Sequence, residues 1–520
     1  VDIGTAAGHL TQVITETGDV GTASTFTLGN GTYTGNWVGI DATDIVKING
    51  LGSDISGNTG LNAGVKVDFQ SDTANTTLNA TQNGVVTFIN AGAGTQTVNI
   101  SAVDSFTTTN TIEAYSGVGG GTVTLGATHA AANIAMTTAG ATTVNIGAQT
   151  VTGTFALADE ADVLKLTASA DISGLNTGGA TTAENLDLET VDTINATMTE
   201  AQYDGFTGIT ANNNDDTITI KTGAITSIVA DANIGTYVIQ DDTGNDGLTV
   251  SAVTGAHVID ASANDDANDV VTVEITAGTS FTGSVVGAGT NDIISLSGTV
   301  DISGSSDLNS DESFVNLTLA AGTVATMNAT QYALFDSATT TTGTNTIVLS
   351  NTATIGAIAT VENYTLANAA NQLTMGTVNA TTVTGNANVD TIVFDGTTAY
   401  TGSYDLKAEA NVINLVDGSN IGGATVAADG GTINFTIANA ADVTVNAATH
   451  ALMVAGTLTA DGDNTVTLSD VGTITTDTLI ESYSVTEGAN VTLGTAAGQL
   501  AQVITETGAV GTASTFTLGN

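Results

Sequence analysis

One short phrase recurs along this chain: an acid or amide, then residues that alternate between polar and apolar. It reads DTITI at 216–220, NTIVL at 345–349, DTIVF at 390–394 and NTVTL at 464–468. TVNI at 97–100 and at 143–146, and NLDL at 185–188, keep the same alternation. A period of two puts every second side chain on one face, so Ile218 with Ile220, and Ile392 with Phe394, mark the buried faces of strands. Gly, Ser, Ala, Asn or Asp follow as turn residues. Strands are therefore short, with a turn about every ten residues, which confines the chain to all-β architectures.

Longer phrases repeat above this rhythm. DIVKINGLGSDISG starts at Asp44, DVLKLTASADISG at Asp162, DIISLSGTVDISG at Asp292 and NVINLVDGSNIGG at Asn411, at spacings of 118, 130 and 119 residues. A second marker keeps step: LNATQN from Leu78, MTEAQY from Met198, MNATQY from Met327 and VNAATH from Val445. Two independent markers define four divergent repeat units, 44–161, 162–291, 292–410 and 411–520. Residues 1–43 read as the end of a preceding repeat, a short helix plus a β-hairpin. Residues 491–520 copy residues 1–30 at 25 of 30 positions, at an offset of 490. The expectation is a cut from a longer tandem array, continuing past Asn520 with a phrase close to residues 31–50.

The helix is predicted over TAAGHLTQVITET (5–17) and its copy at 495–507, where Ala7, Leu10, Val13 and Ile14 fall on one helical face. The hairpin is predicted in STFTLGNGTYTGNWVGID, with Gly29, Asn30 and Gly31 at the turn. Two architectures accommodate short, evenly spaced strands: a parallel β-solenoid and a string of β-sandwiches. The solenoid is favoured. The turns are rich in Asn, Gly, Asp and Thr, Pro is absent, and the only Trp, Trp37, marks no repeated core position. No strict coil length of about 20–30 residues emerges, and tandem β-sandwich domains remain the alternative.

Charge narrows the partners. The chain has 52 Asp and Glu against five Lys and Arg, for a formal charge of −47. Phosphate binding needs clustered cations, so nucleic acid and anionic membrane surfaces are poor partners. Acidity does not mean disorder here, because 41% of residues are hydrophobic and only 4% are aromatic, a core of small branched side chains. Without Cys there is no disulfide scaffold and no Cys-ligated metal. No apolar run reaches the length of a membrane span.

Catalytic constellations are not apparent. The four histidines, His9, His129, His257 and His450, lie far apart in dissimilar contexts, and His9 is Gln499 in the second copy. No Ser–His–Asp arrangement can be assembled on any motif, so the chain is read as not an enzyme. Compact acidic clusters are the stronger chemical signal: NNNDD (212–216), DDTGND (241–246), NDDAND (264–269) and DGDN (461–464). Calcium takes six to eight oxygen ligands, which tight Asp/Asn/Gly turns supply. The candidate calcium ligands are Asp215, Asp216, Asp241, Asp242, Asp246, Asp265, Asp266, Asp269, Asp461 and Asp463. The bland alternative is that these residues only form turns, and none of the clusters has EF-hand spacing. Thr217 with Thr219, and Thr465 with Thr467, form outward threonine pairs, ordinary for solvent-facing strands although flat threonine arrays can also bind ice or crystalline polysaccharide.

LGTAAGQLAQ, followed by a polar turn, and FTLGNGTYTGNWVGIDATDIVKINGL together resemble a segment near the C-terminal end of RTX-type bacterial S-layer proteins. There a short Ala-rich helix precedes a strand pair and a D-x-V-x-x-L phrase. The resemblance covers roughly 50 residues. The rest resembles, in style, the β-strand repeats of giant secreted surface proteins and biofilm adhesins. The likeness implies type I secretion, an extracellular cell-surface location and assembly into layers or fibres. The sequence departs from the RTX pattern G-G-x-G-x-D-x-U-x: it has only VGAGTNDIISL (286–296), TGNANVDTIVF (384–394) and TADGDNTVTL (459–468), without the paired glycines.

The leading expectation is a structural segment of an extracellular fibre, sheath or surface layer that associates with itself, with calcium as a candidate stabiliser and cell-surface polysaccharide as a candidate partner. The alternative is the stalk of a giant surface adhesin. A third reading, from another class, is a carbohydrate-active β-helix resembling polysaccharide lyases, which use clustered acids with calcium and a basic residue near the sugar. With no Arg and five scattered Lys, it is the weakest.

Overall fold

The computed structural model describes residues 1–520 except 5–9, 18–20, 50, 62, 72, 91–93, 137–139, 159–160, 177–183, 189–192, 212–214, 223–225, 242–246, 252, 254, 264–269, 277, 279, 288–290, 309–315, 336–337, 341–342, 408, 497–498, 509–510 and 520. The fold is all-β, a parallel β-solenoid of about 20 turns, as the alternation predicted. Its residues group into two compact units, Val1–Asp246 and Gly247–Asn520.

In the first unit the chain alternates between sheets and returns each time one strand further along. One five-stranded sheet runs Asp2–Ile3, Thr25–Leu28, Ile45–Ile48, Lys66–Phe69 and Thr87–Asn90. A neighbouring seven-stranded sheet runs from Gly31–Thr32 through Leu51–Asp54, Asn75–Leu78, Thr97–Ile100, Ala114–Gly117 and Asn133–Met136 to Thr154–Ala156. The second unit repeats the plan. A seven-stranded sheet leads from Thr299–Asp301 to Thr425–Ala427, and a six-stranded sheet from Thr354–Gly356 to Leu458–Ala460.

Strands pair in parallel, so like residues stack in columns. Phe26 sits over Val46, Val46 over Val67, and Val67 over Phe88. In the second unit Ala325, Ile347, Tyr364, Val383 and Tyr404 form one such column. These side chains are almost wholly buried. Each fully buried aliphatic side chain contributes about 1.5–3 kcal/mol. The outward positions carry Thr, Asn, Ser and Asp.

Coil length varies, which is why no strict period shows in the sequence. The step between paired residues ranges from 17, as for Thr346 with Asn363, to 26, as for Val258 with Ser284. Only the strands must stay in register, and the corners between them absorb insertions.

Among the described residues, four short α-helices with described bounds interrupt the coils: α1 (Ala80–Val85), α2 (Glu200–Gly205), α3 (Ala329–Tyr332) and α4 (Ala447–Ala455). Each begins on the second sequence marker. Asn79, Thr199, Asn328 and Asn446 are the N-caps, and the first three helices also carry a reciprocal capping box with Gln82, Gln202 or Gln331.

Two sequence expectations are corrected. In 5–17, residues 5–9 lie outside the described residues and Leu10 is helical as expected, but the helix does not reach Ile14–Thr15, which is a strand paired with Trp37–Val38. In the copy, only Gln499–Ala501 makes a single helical turn, and Val503–Thr507 is a strand paired with Ser482–Thr486. A neighbouring coil offers a ready strand edge, and Val, Ile and Thr fit it better than a helix. The hairpin is absent as well. Thr25–Leu28 pairs with Ile45–Ile48, while Gly31–Thr32 belongs to another sheet and pairs with Ser53–Asp54. Gly29–Gly31 is a corner between two faces, because in a solenoid the partner of each strand lies one coil away.

Candidate functional site

The acid or amide that opens each strand phrase is the most consistent polar feature, and it points inward. Asp44, Asp162, Asp216, Asp292, Asn345, Asn371, Asp390, Asn411 and Asn464 are all at most 4% exposed. A side-chain oxygen of each accepts a backbone N–H from the coil before. Ser24 donates to Asp44 at 2.8 Å, Ile194 to Asp216 at 2.9 Å and Val271 to Asp292 at 2.6 Å. Thr323 donates to Asn345 at 3.1 Å and Ala441 to Asn464 at 2.9 Å. Three in a row form a chain: the Ala353 N–H donates to Asn371, the Asn371 N–H to Asp390 and the Asp390 N–H to Asn411. These groups satisfy backbone donors at corners where no strand ladder can reach. The aspartates of the RTX-like phrases, Asp292 and Asp390, belong to this set.

Burial leaves its mark on their acidity. Desolvation raises the Asp390 carboxyl above the ordinary range, against hydrogen bonds from Asn386 and Asn371 that favour the charge. Desolvation raises Asp216 too, opposed by the Ile194 N–H and reinforced by the neighbouring Asp215.

Of the ten candidate calcium ligands, Asp216 is therefore a buried clamp. Asp215 beside it is exposed and accepts from the Thr193 hydroxyl at 3.5 Å. Asp461 and Asp463 are both exposed, flanking Gly462. Asp241 ends the strand Thr236–Asp241. Asp242, Asp246, Asp265, Asp266 and Asp269 lie outside the described residues. Among the described residues, no three His, Asp or Glu side chains converge as a metal-binding group. Thr217 and Thr465 face outward as expected, whereas Thr219 is 7% exposed and donates to the Asn195 side chain.

A second device recurs once in every repeat and was missed in the sequence. Tyr115, Tyr237, Tyr364 and Tyr483 are buried, and each hydroxyl accepts a backbone N–H from six residues upstream: Thr109, Asp231, Ile358 and Asp477. The signal was available. EAY at 113–115, ENY at 362–364 and ESY at 481–483 share one pattern. The glutamate of each accepts a backbone N–H one coil back, from Gln96, Asn345 or Asn464.

The preceding helix meets this tyrosine in three repeats. Tyr203 of α2 lies 2.9 Å from the Tyr237 hydroxyl, and Tyr332 of α3 lies 3.3 Å from that of Tyr364. In α4 the position is His450, whose Nε2 is 3.3 Å from the Tyr483 hydroxyl. Desolvation pushes Tyr203 and Tyr364 up to about 12 and drives His450 down to about 4. His450, His129 and His257 are all buried, and His9 lies outside the described residues.

Beside α3 lies a cavity of about 570 Å³, walled by Tyr332, Phe335, Ile355, Ile358 and Val378. A smaller one of about 230 Å³ lies beside α2, against Tyr203, Phe206 and Ile209. Neither gathers an acid–base pair. Four of the five lysines are engaged with carboxylates: Lys221 with Asp171 at 2.9 Å, Lys165 with Asp187 at 3.4 Å, Lys47 with Asp68 at 3.9 Å, and Lys407 with Asp405. Among the described residues, no helix is long and apolar enough to cross a membrane. No known protein family, curated protein or solved structure matches this chain.

Proposed function

We propose that the chain is a structural segment of an extracellular repetitive fibre, sheath or surface layer, one that associates with copies of itself and performs no catalysis. The observation that carries this reading is the use made of the buried polar groups. The aspartates, asparagines, glutamates and tyrosines singled out by the repeats all bond one coil to the next or close a corner within a coil. A binding or catalytic site would aim some of them at a common point. The resemblance to RTX-type surface-layer proteins agrees in kind with a parallel solenoid. Calcium at the exposed acidic corners, Asp461 with Asp463 first, belongs to the same proposal, because the net charge of −47 calls for counter-ions.

The test is microscopy of the producing cells, with antibodies raised against this chain. A continuous label over the envelope, or on filaments leaving it, is expected. Label confined to the cell interior overturns the reading.

A further inference from the structure

Charge is sorted by face. In the second unit one sheet is built from Thr354–Gly356, Gln372–Thr374, Thr391–Phe394, Ala410–Leu415, Thr432–Ile437 and Leu458–Ala460, and no bulge interrupts its pairing. Ile355, Leu373, Ile392, Ile413, Phe435 and Leu458 point inward and are buried. The outward residues stand in two columns. One runs Gly356, Thr374, Val393, Asn414, Thr436 and Thr459. The other runs beside it from Thr354 to Asn434, one residue from each of the first five strands. None of these eleven residues is charged or aromatic, and all are exposed or half-buried.

The acids stand elsewhere. Asp301 and Asp405 lie on the adjoining sheet, which leads from Thr299–Asp301 to Thr425–Ala427. Asp395, Asp417 and Asp461 are exposed at corners just beyond three strands of the uncharged face. The first unit is sorted in the same way. Its outward residues from Asn75–Leu78 to Thr154–Ala156 are uncharged, while Lys47 with Asp68, and Lys165 with Asp187, stand on two other sheets. Coils stack on strand edges and not on these faces, so a further coil lengthens the columns and leaves them uncovered.

We propose that the uncharged face of strands 354–460 packs side to side against the same face of a second copy of this chain. The inference rests on the self-associating role proposed above and names the surface. Two copies each carrying −47 repel wherever their acids approach, so they meet at least cost where both are neutral. Thr, Asn and Gln side chains donate and accept, so two such faces satisfy each other's polar groups. Both copies share one coil spacing, about 4.8 Å, so a contact made at one coil recurs at the next. A glycan brings its own repeat, and the face has no aromatic ring for a sugar to stack on. Val393 and Val412, on neighbouring strands, give the centre apolar contact, and Asp395, Asp417 and Asp461 form a charged rim. Five coil steps by two columns cover about 24 Å by about 10 Å, on the order of 250 Å² per copy. Stable complexes use about 800 Å² per partner. A single pair is therefore weak, and the contact strengthens where many coils lie side by side.

The test is sedimentation equilibrium of the full chain from about 0.02 to 0.5 M NaCl. Self-association that strengthens with salt is expected, because screening removes repulsion and the face has no charge pairs to lose. Val393→Asp and Val393→Lys are each expected to weaken it by about tenfold or more, since either charge is desolvated at the centre of the contact. Thr365→Asp, on the adjoining sheet, should leave it within about twofold. Melting temperatures report folding, and Asn414→Lys repeats the test should a Val393 variant melt early. Chains that stay monomeric at every salt concentration, association that weakens with salt, or association lost in Thr365→Asp and kept in both Val393 variants each overturn the proposal. A monomeric chain that is retained on microcrystalline cellulose and released by Val393→Asp makes the face a glycan platform and overturns it too. Surface label on cells with a monomeric chain overturns this contact alone. Association that depends on Val393, without surface label, overturns the extracellular role alone.

Discussion

His450 shows how one residue can carry a pH response for a whole repeat. It is 1% exposed, and burial holds its imidazole neutral with a pKa of about 4. An unfolded histidine titrates near 6.5. Below that value the unfolded chain takes up a proton that the folded chain refuses, so stability present above pH 6.5 is lost as pH falls toward 4. The full loss is about 3 kcal/mol. Tyr203 and Tyr332 occupy the same place in α2 and α3, so the site accepts tyrosine. His450→Tyr is expected to match the parent at pH 7.5 and to hold its stability better at pH 5, as read by urea unfolding. Equal losses at pH 5 in both chains would show that His450 does not carry the acid response.

Asp216 works with the opposite sign. Desolvation raises its carboxyl, so its ionised form at neutral pH destabilises the fold, and stability is gained as pH falls through the raised value. Asparagine takes the same opening position at 345, 371, 411 and 464, with its side-chain oxygen accepting the same bond. Asp216→Asn is therefore expected to raise the melting temperature at pH 7.5, with the gain shrinking toward pH 4. A lower melting temperature at pH 7.5 would mean that the carboxylate is wanted there as a charge.

At the scale of the element, the first turn of each helix explains a choice that capping rules leave open. A capping box admits either Glu or Gln at its third residue. Here the residue is Gln82, Gln202 or Gln331. In α3 the Gln331 carbonyl accepts the Asn328 N–H at 2.9 Å, while its amide donates to Ile302 O at 2.6 Å and Ser305 O at 3.3 Å, one coil back. Gln82 and Gln202 do the same toward Ile55 and Asn58, and toward Ile172 and Leu175. A glutamate would cap the helix but aim its charge at carbonyls. Each unsatisfied buried group costs about 1–3 kcal/mol. Gln331→Glu should thus destabilise the second unit at least as much as Gln331→Ala, by about 2–4 kcal/mol in denaturant unfolding. A neutral Gln331→Glu would show that only the cap matters.

At the scale of the molecule, the charge of −47 dominates. Self-repulsion favours the unfolded chain, and screening relieves it. A cation bound only by the folded form adds stability by mass action. Millimolar Ca²⁺ is expected to raise the melting temperature above that in Mg²⁺ at matched ionic strength, and chelator to reverse the gain. Asp461→Asn with Asp463→Asn should reduce the Ca²⁺ increment without changing the melt in Mg²⁺. Identical midpoints in both cations would leave the acidic corners as solvated turns.

The sequence by itself determined the strands, their buried faces and the four-fold recurrence of markers. A period of two and a turn chemistry of Asn, Gly and Asp are local properties, and α1–α4 start where the second marker stands. The E-x-Y phrases and the invariant glutamine of the first three helices were also in plain view, but their meaning needs a partner about 20 residues away in sequence, one coil distant in space. Neighbours decided the rest. Ile14–Thr15 is extended because Trp37–Val38 lies beside it. The opening acids turn inward because a corner N–H of the previous coil needs an acceptor. TFTL at 25–28 is core because Ile45–Ile48 lies along its edge, since burial belongs to what packs against a side chain and not to the side chain itself.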